Sequence, residues 1–223
     1  MRIFLVEVKG EMTEVKLKVK LKHIKSALLT IDGREPIKVE WLGRGRFSEA
    51  WGNCENAYVI TREREWGTDS AKELMESLLD LNNPHIPKVE HVGYLGDSKV
   101  FRMPLYQPLT AKNKEAWGQF KELRRNKEDA WNNFWPSYGR HDAAMETMRY
   151  VVDSSSVPLE LREGLQAIVD ASYSYMDLPM LEFSKKNLTV DAEGRLILLD
   201  VIFDIKVNDS FYDARRKRYE RRY

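Results

Sequence analysis

Leu42-Gly43-Arg44-Gly45-Arg46-Phe47-Ser48-Glu49-Ala50-Trp51 sets two glycines between the β-prone segments Ile37 to Leu42 and Ala50-Trp51. Without a Cβ, glycine lets an anion such as a phosphate approach backbone N–H groups closely. The same residues also close ordinary hairpins, so the first implication is local: strand, turn, strand. A P-loop or dinucleotide-binding reading fails on context. Both need glycines that open a helix, and no Gly-Lys-Ser/Thr follows.

Outward from this turn, Ala57 to Ile60 reads as a third strand after Gly52-Asn53, which makes an antiparallel meander. Ser70 to Leu81 is predicted as a helix, with Ala71, Leu74, Met75 and Leu78 on one stripe and Ser70/Glu73 as a capping box. Val89 to Tyr94 and Lys99 to Met103 then read as strands around Gly96-Asp97, and Pro104 to Pro108 as a connector between two lobes. Toward the N-terminus, Arg2 to Val8 and the alternating Val15, Leu17, Val19, Leu21 predict a hairpin with a lysine face. His23 to Ile31, with Ile24, Ala27, Leu28 and Ile31, reads as a short helix ending at Asp32-Gly33.

Beyond the connector, amphipathic helices are expected near Asn113 to Trp131, His141 to Val152 and Pro158 to Tyr175, their tryptophans and Tyr138 acting as packing anchors. A second hairpin joins Leu188 to Val190 with Leu196 to Leu199 through Asp191-Ala192-Glu193-Gly194. The fold class is therefore α+β. The segments are 1–36 (N-terminal hairpin and short helix), 37–106 (antiparallel β lobe), 107–213 (helical lobe with a hairpin) and 214–223 (basic tail).

With 223 residues, 43% of them hydrophobic, the chain can bury a sizeable core. Its 36 Lys and Arg nearly cancel 35 Asp and Glu, so net charge points to neither a nucleic acid nor a membrane, and any such contact must come from a local cluster. The lone Cys54 cannot form an internal disulfide and has no zinc-site neighbours, which fits a reducing cytoplasm. Glu7 interrupts the apolar start and argues against a signal peptide, and no run is long enough to span a bilayer.

A second group of residues could carry chemistry: Glu182-Phe183-Ser184-Lys185-Lys186-Asn187, the hairpin, then Asp200 at the end of an apolar strand. An acid, an amide and a second acid supply the oxygen ligands that hard cations such as magnesium take. Asn187 and Asp200 taken singly also suit turn capping.

In order, these features resemble the protein-kinase family, over roughly residues 38 to 204. The likeness is to the early serine/threonine protein kinases of short-tailed phages, through the glycine turn, His85-Ile86-Pro87-Lys88-Val89, and the Asn187 to Asp200 span. It implies a two-lobed kinase-like fold, with an antiparallel β N-lobe, a reduced helical C-lobe and an additional N-terminal hairpin. It also implies that Gly43, Gly45 and Ser48 cover ATP phosphates, that Asn187 and Asp200 hold magnesium, and that Met103 to Tyr106 meets adenine through backbone groups. ATP and Mg are the implied cofactors, and a host protein the implied partner in a host-cell cytoplasm.

Two positions depart from the family. Thr61 stands where a strand lysine pairs with phosphates, and Glu182 where the catalytic Asp stands. Losing that cation costs roughly two to four orders of magnitude in rate. A carboxylate moved by about 1 Å costs on the order of a hundredfold. Lys185 or Lys186 could return the charge, with Glu182 and Lys185 then the catalytic pair, and Glu73 is the candidate helix partner of the absent lysine. Only residues 201–223 follow Asp200, which leads to the expectation that the activation segment is missing. The tail from Ala214, with Arg215, Arg216, Lys217 and Arg218 among tyrosines, suits a nucleic acid or an acidic protein surface.

Three functions are consistent with this sequence: a pseudokinase-like protein that binds a host factor, an active Mg-ATP-dependent serine/threonine kinase, and a nucleic-acid-binding protein acting through its tail.

Overall fold

Short, β-prone segments paired into one ladder after another account for most of the N-terminal half. The computed structural model describes residues 2–4, 15–19, 26–31, 35–44, 48–61, 70–95, 98–206 and 209. The strands are β1 (Arg2–Phe4), β2 (Val15–Val19), β3 (Ser26–Ile31), β4 (Ile37–Arg44), β5 (Ser48–Gly52), β6 (Asn56–Thr61), β7 (Glu90–Leu95) and β8 (Ser98–Pro104). They form one eight-stranded sheet in the order β1-β2-β3-β4-β5-β6-β8-β7, antiparallel throughout. The expected hairpin is present as the β1/β2 pair, with Arg2 opposite Val19.

Of the short helix expected over His23 to Ile31, residues 26–31 are instead strand β3, and 23–25 lie outside the described residues. Ala27 and Leu29 are buried while Leu28 between them is exposed, an alternation that fits a pleat. Pairing with β2 on one side and β4 on the other outweighs the helical spacing of so short an apolar run.

One sheet face is sealed by Ala27, Leu29, Val39, Trp51, Tyr58, Ile60, Val92 and Val100. Their neighbours along β6 and β8 point the other way. Helix α1 (Ser70–Leu78), which buries Leu74, Met75 and Leu78, reaches this second face through an ion pair from Glu76 to Lys99. Val100 faces the sealed core, so Lys99 beside it must face α1.

The chain divides into two compact units. One carries β1 to β8 and α1 from Ala71 onward, and the other carries Asp80–Pro87 and everything from Tyr106.

The second unit contains β9 (Gln107–Pro108), α2 (Lys114–Phe134), α3 (Arg140–Asp153), α4 (Leu159–Ser172), β10 (Pro179–Leu181), β11 (Leu188–Val190), β12 (Leu196–Leu198) and β13 (Ile202–Asp204). Helix α2 buries Ala116, Phe120, Leu123 and Ala130, spaced to form one stripe. On the same helix, buried Asn126 donates from Nδ2 to Ser154 and Ser156 Oγ, both at 2.9 Å, which ties α2 to the α3/α4 connection. Trp131 stacks on Trp135 with centroids 5.0 Å apart, and exposed Tyr138 meets Phe134 edge-on at 6.0 Å. Strands β12-β11-β9 form a small sheet, and β10 pairs with β13. No helix among the described residues is long and apolar enough to cross a membrane.

Candidate functional site

In the second unit, Glu182 follows β10, and its N–H donates to Val201 O at 2.8 Å, so the loop departs from a fixed point beside β13. The loop then turns so that Asn187 N–H reaches Ser184 O at 3.0 Å. The Asn187 carbonyl in turn accepts N–H groups from Leu199 at 3.0 Å and Asp200 at 3.1 Å. The intervening hairpin β11/β12, closed by Gly194 at φ 82°, makes this return possible. Glu182, Asn187 and Asp200 are thereby held on one end of the hairpin by backbone bonds.

The electrostatics match that placement. Asp200 keeps solvent access, yet the protein around it strips away hydration, and the negative charge of Glu182 adds to this. Together they push its carboxyl up to about 6. A carboxylate whose ionisation is made costly in this way is one that a divalent cation relieves. Among the described residues no group of three His, Cys, Asp or Glu could hold a metal alone. Magnesium commonly uses one or two carboxylates plus waters and substrate phosphates, so Asn187 and Asp200 fit it as partial ligands. Lys185 is exposed, with Nζ 4.5 Å from the ring centroid of Trp117 on α2, a cation–π contact that gives the side chain a preferred seat.

In the first unit, Gly43 lies on β4, where the register to β5 shifts between Trp41 and Gly43. A Cβ added at Gly43 would meet nothing within 4 Å, and its backbone does not lie in the left-handed region. Neither packing nor φ demands glycine there, which leaves the backbone open to a ligand. Gly43→Ala is therefore expected to leave stability in urea unchanged or raised by up to about 1 kcal/mol. Gly45 and Arg62 lie outside the described residues, as do Arg215, Arg216, Lys217 and Arg218 of the tail.

Ser48 opens β5 half-buried and pairs with Thr61. Thr61 is only 1% exposed, and its hydroxyl donates to Lys99 O at 3.2 Å, so its side chain serves the sheet. Met103 is buried on β8 opposite Ala57, and the N–H of Leu105 is already given to Glu55 O at 2.7 Å. That removes one backbone donor from the segment Met103 to Tyr106.

Sequence reasoning missed the Lys99–Glu76 ion pair and the seat of Lys185 on Trp117. The alternation of β8 signals that Lys99 is on the face opposite Val100, but its cross-strand neighbour depends on register. Compared with known proteins, the chain matches no protein-family model, and no curated protein matches it.

Proposed function

We propose that the chain is a pseudokinase-like binding protein that retains a weak nucleotide site, transfers phosphoryl groups slowly or not at all, and acts by engaging a host protein. One observation carries this reading. The loop from Glu182 to Asn187 is tied through the Asn187 carbonyl to Leu199 and Asp200, which gathers an acid, an amide and a second acid from separated positions. The strands and α1 between Ile37 and Pro104 support it, because they follow the order that the resemblance implies.

When bound, magnesium would supply charge neutralisation for nucleotide phosphates, with Asn187 and Asp200 as its protein ligands. Glu182 would lie beside that position as a proton acceptor for an attacking hydroxyl. Its reach is displaced by one methylene relative to Asp, and the position where the resemblance implies a strand lysine holds the uncharged, buried Thr61.

The influence of Glu182 on Asp200 favours a second reading, an active kinase with Glu182 as base. Incubation with labelled ATP and magnesium separates the two. The pseudokinase reading expects phosphate transfer by the wild type no faster than by Asp200→Ala or Glu182→Ala. Turnover present in the wild type and lost in both variants would establish the kinase.

A further inference from the structure

We infer that Trp117, on the first turn of α2, is a positioning residue: it holds the Lys185 ammonium on its indole face, off the Glu182 and Asp200 carboxylates, and so keeps those carboxylates open to a divalent cation. The inference rests on the magnesium-binding reading above and concerns what leaves that position free.

Connectivity brings opposite charges together. Lys185 lies three residues after Glu182 and two before Asn187, whose carbonyl accepts the Asp200 N–H at 3.1 Å. An exposed ammonium thus shares one short loop with an exposed carboxylate, and the end of that loop is bonded to the residue bearing a second. Such neighbours attract, and collapse of the lysine onto either acid is the arrangement expected of the loop alone. Among the described residues, however, none of these three groups forms an ion pair. The ammonium lies instead over Trp117, with Nζ 4.5 Å from the ring centroid.

The seat is anchored in the core. Trp117 N–H donates to Asn113 O at 2.8 Å, its ring meets the ring of buried Phe120 at 5.3 Å between centroids, and the preceding Ala116 is buried as well. The indole therefore stays in place whichever way the lysine swings. An exposed cation–π contact and an exposed ion pair are of similar strength, so one ring suffices to decide between two seats for the same ammonium. Without it, Lys185 would turn to the carboxylates and compete there with a metal for their oxygens. An acid pair kept clear of its own loop's lysine stays available to magnesium, which takes one or two carboxylates alongside water and phosphate oxygens.

A tryptophan that merely packs against a lysine stem would be indifferent to a metal. The discriminating measurement is calorimetric titration of magnesium alone into the full chain and into Trp117→Leu, Trp117→Phe and the double variant Trp117→Leu/Lys185→Met. Trp117→Leu is expected to weaken magnesium binding by roughly three- to tenfold, while Trp117→Phe, which keeps an aromatic face, should stay within about twofold of the wild type. In the double variant the competing ammonium is gone, and the affinity should return to within about twofold of the wild type. Such a rescue separates the proposed role from a folding defect, because removing Lys185 does not restore the packing lost with the indole. Magnesium binding by Trp117→Leu equal to the wild type, or a double variant as weak as Trp117→Leu, overturns the inference and leaves the metal reading intact. A wild type that binds no magnesium overturns both.

Discussion

Gly164→Ala should destabilise the second unit by about 1–3 kcal/mol, read as a lower urea midpoint with an unchanged slope. A Cβ at this position of α4 would lie 2.5 Å from Asn83 Oδ1 and 3.0 Å from its Cγ, so the amide must move. That amide is engaged at both ends. Oδ1 accepts the His85 N–H at 2.8 Å, Nδ2 donates to Glu160 O at 2.9 Å, and the backbone carbonyl of Asn83 accepts Ile86 N–H at 3.0 Å. Buried His85 continues the chain of bonds: its Nδ1–H donates to Leu196 O at 2.7 Å, and its carbonyl accepts Leu198 N–H at 2.8 Å. Helix α4 is thus linked through Asn83 and His85 to the strand that leads to Asp200. Displacing the amide leaves the part-buried His85 N–H short of its partner, at about 1–3 kcal/mol, while the exposed Glu160 carbonyl can turn to water. Gly118→Ala on α2 is the control, since nothing lies within 4 Å of its added Cβ. There, helix propensity predicts a gain of about 0.5–1 kcal/mol. Equal midpoints for Gly164→Ala and the wild type would show that Asn83 is not held as the bonds imply.

Asp200→Asn should remove both a pH dependence and a magnesium response. The carboxyl titrates near 3.8 when unperturbed and at about 6 in the fold, so between these values the folded chain holds a proton that the unfolded chain has released. Stability contributed at this position therefore falls as pH rises from about 4 to 6, and above 6 the wild type carries the full penalty of an ionised carboxylate. The Asn variant has no such group. Its melting temperature should exceed that of the wild type at pH 7.5, by an amount equivalent to about 1 kcal/mol once solvent access is allowed for, and converge with it near pH 4. Millimolar magnesium with ATP should raise the wild-type melting temperature at pH 7.5 and leave that of the Asn variant unmoved. A parallel pH response in the two proteins, or an equal response to MgATP, would remove Asp200 from the metal site.

The strands from Ile37 to Met103 are readable in the sequence because each is bounded by turn residues and carries its own β-prone run, as in Ala57 to Ile60 after Gly52-Asn53. The helices α2, α3 and α4 are readable because their stripes are long. Strand β3 was misread because Ile24, Ala27, Leu28 and Ile31 fit a helix over one turn, while the pairing that decides the matter comes from β2 and β4. Strands β9, β10 and β13 are two or three residues long and exist through partners distant in sequence, so no local pattern announces them. The loop from Glu182 to Asn187 and its link to Asp200 were legible because a single hairpin joins them. The placing of Thr61 between Ser48 and Lys99 was not. It needs the register of two ladders, and the β7/β8 ladder beside it slips between His91 and Gly93.

The position of β1 to β3 at one end of the eight-stranded sheet affects how the molecule avoids sticking to itself. They cover the flank of the eight-residue β4, which carries the glycine turn and would otherwise offer a long row of unsatisfied amides and carbonyls. The border is passed outward to β1, only three residues long, too short a template for a stray strand from another molecule to zip onto. The N-terminal strands thus work as a selvedge that keeps the flank of β4 from becoming a seam between copies.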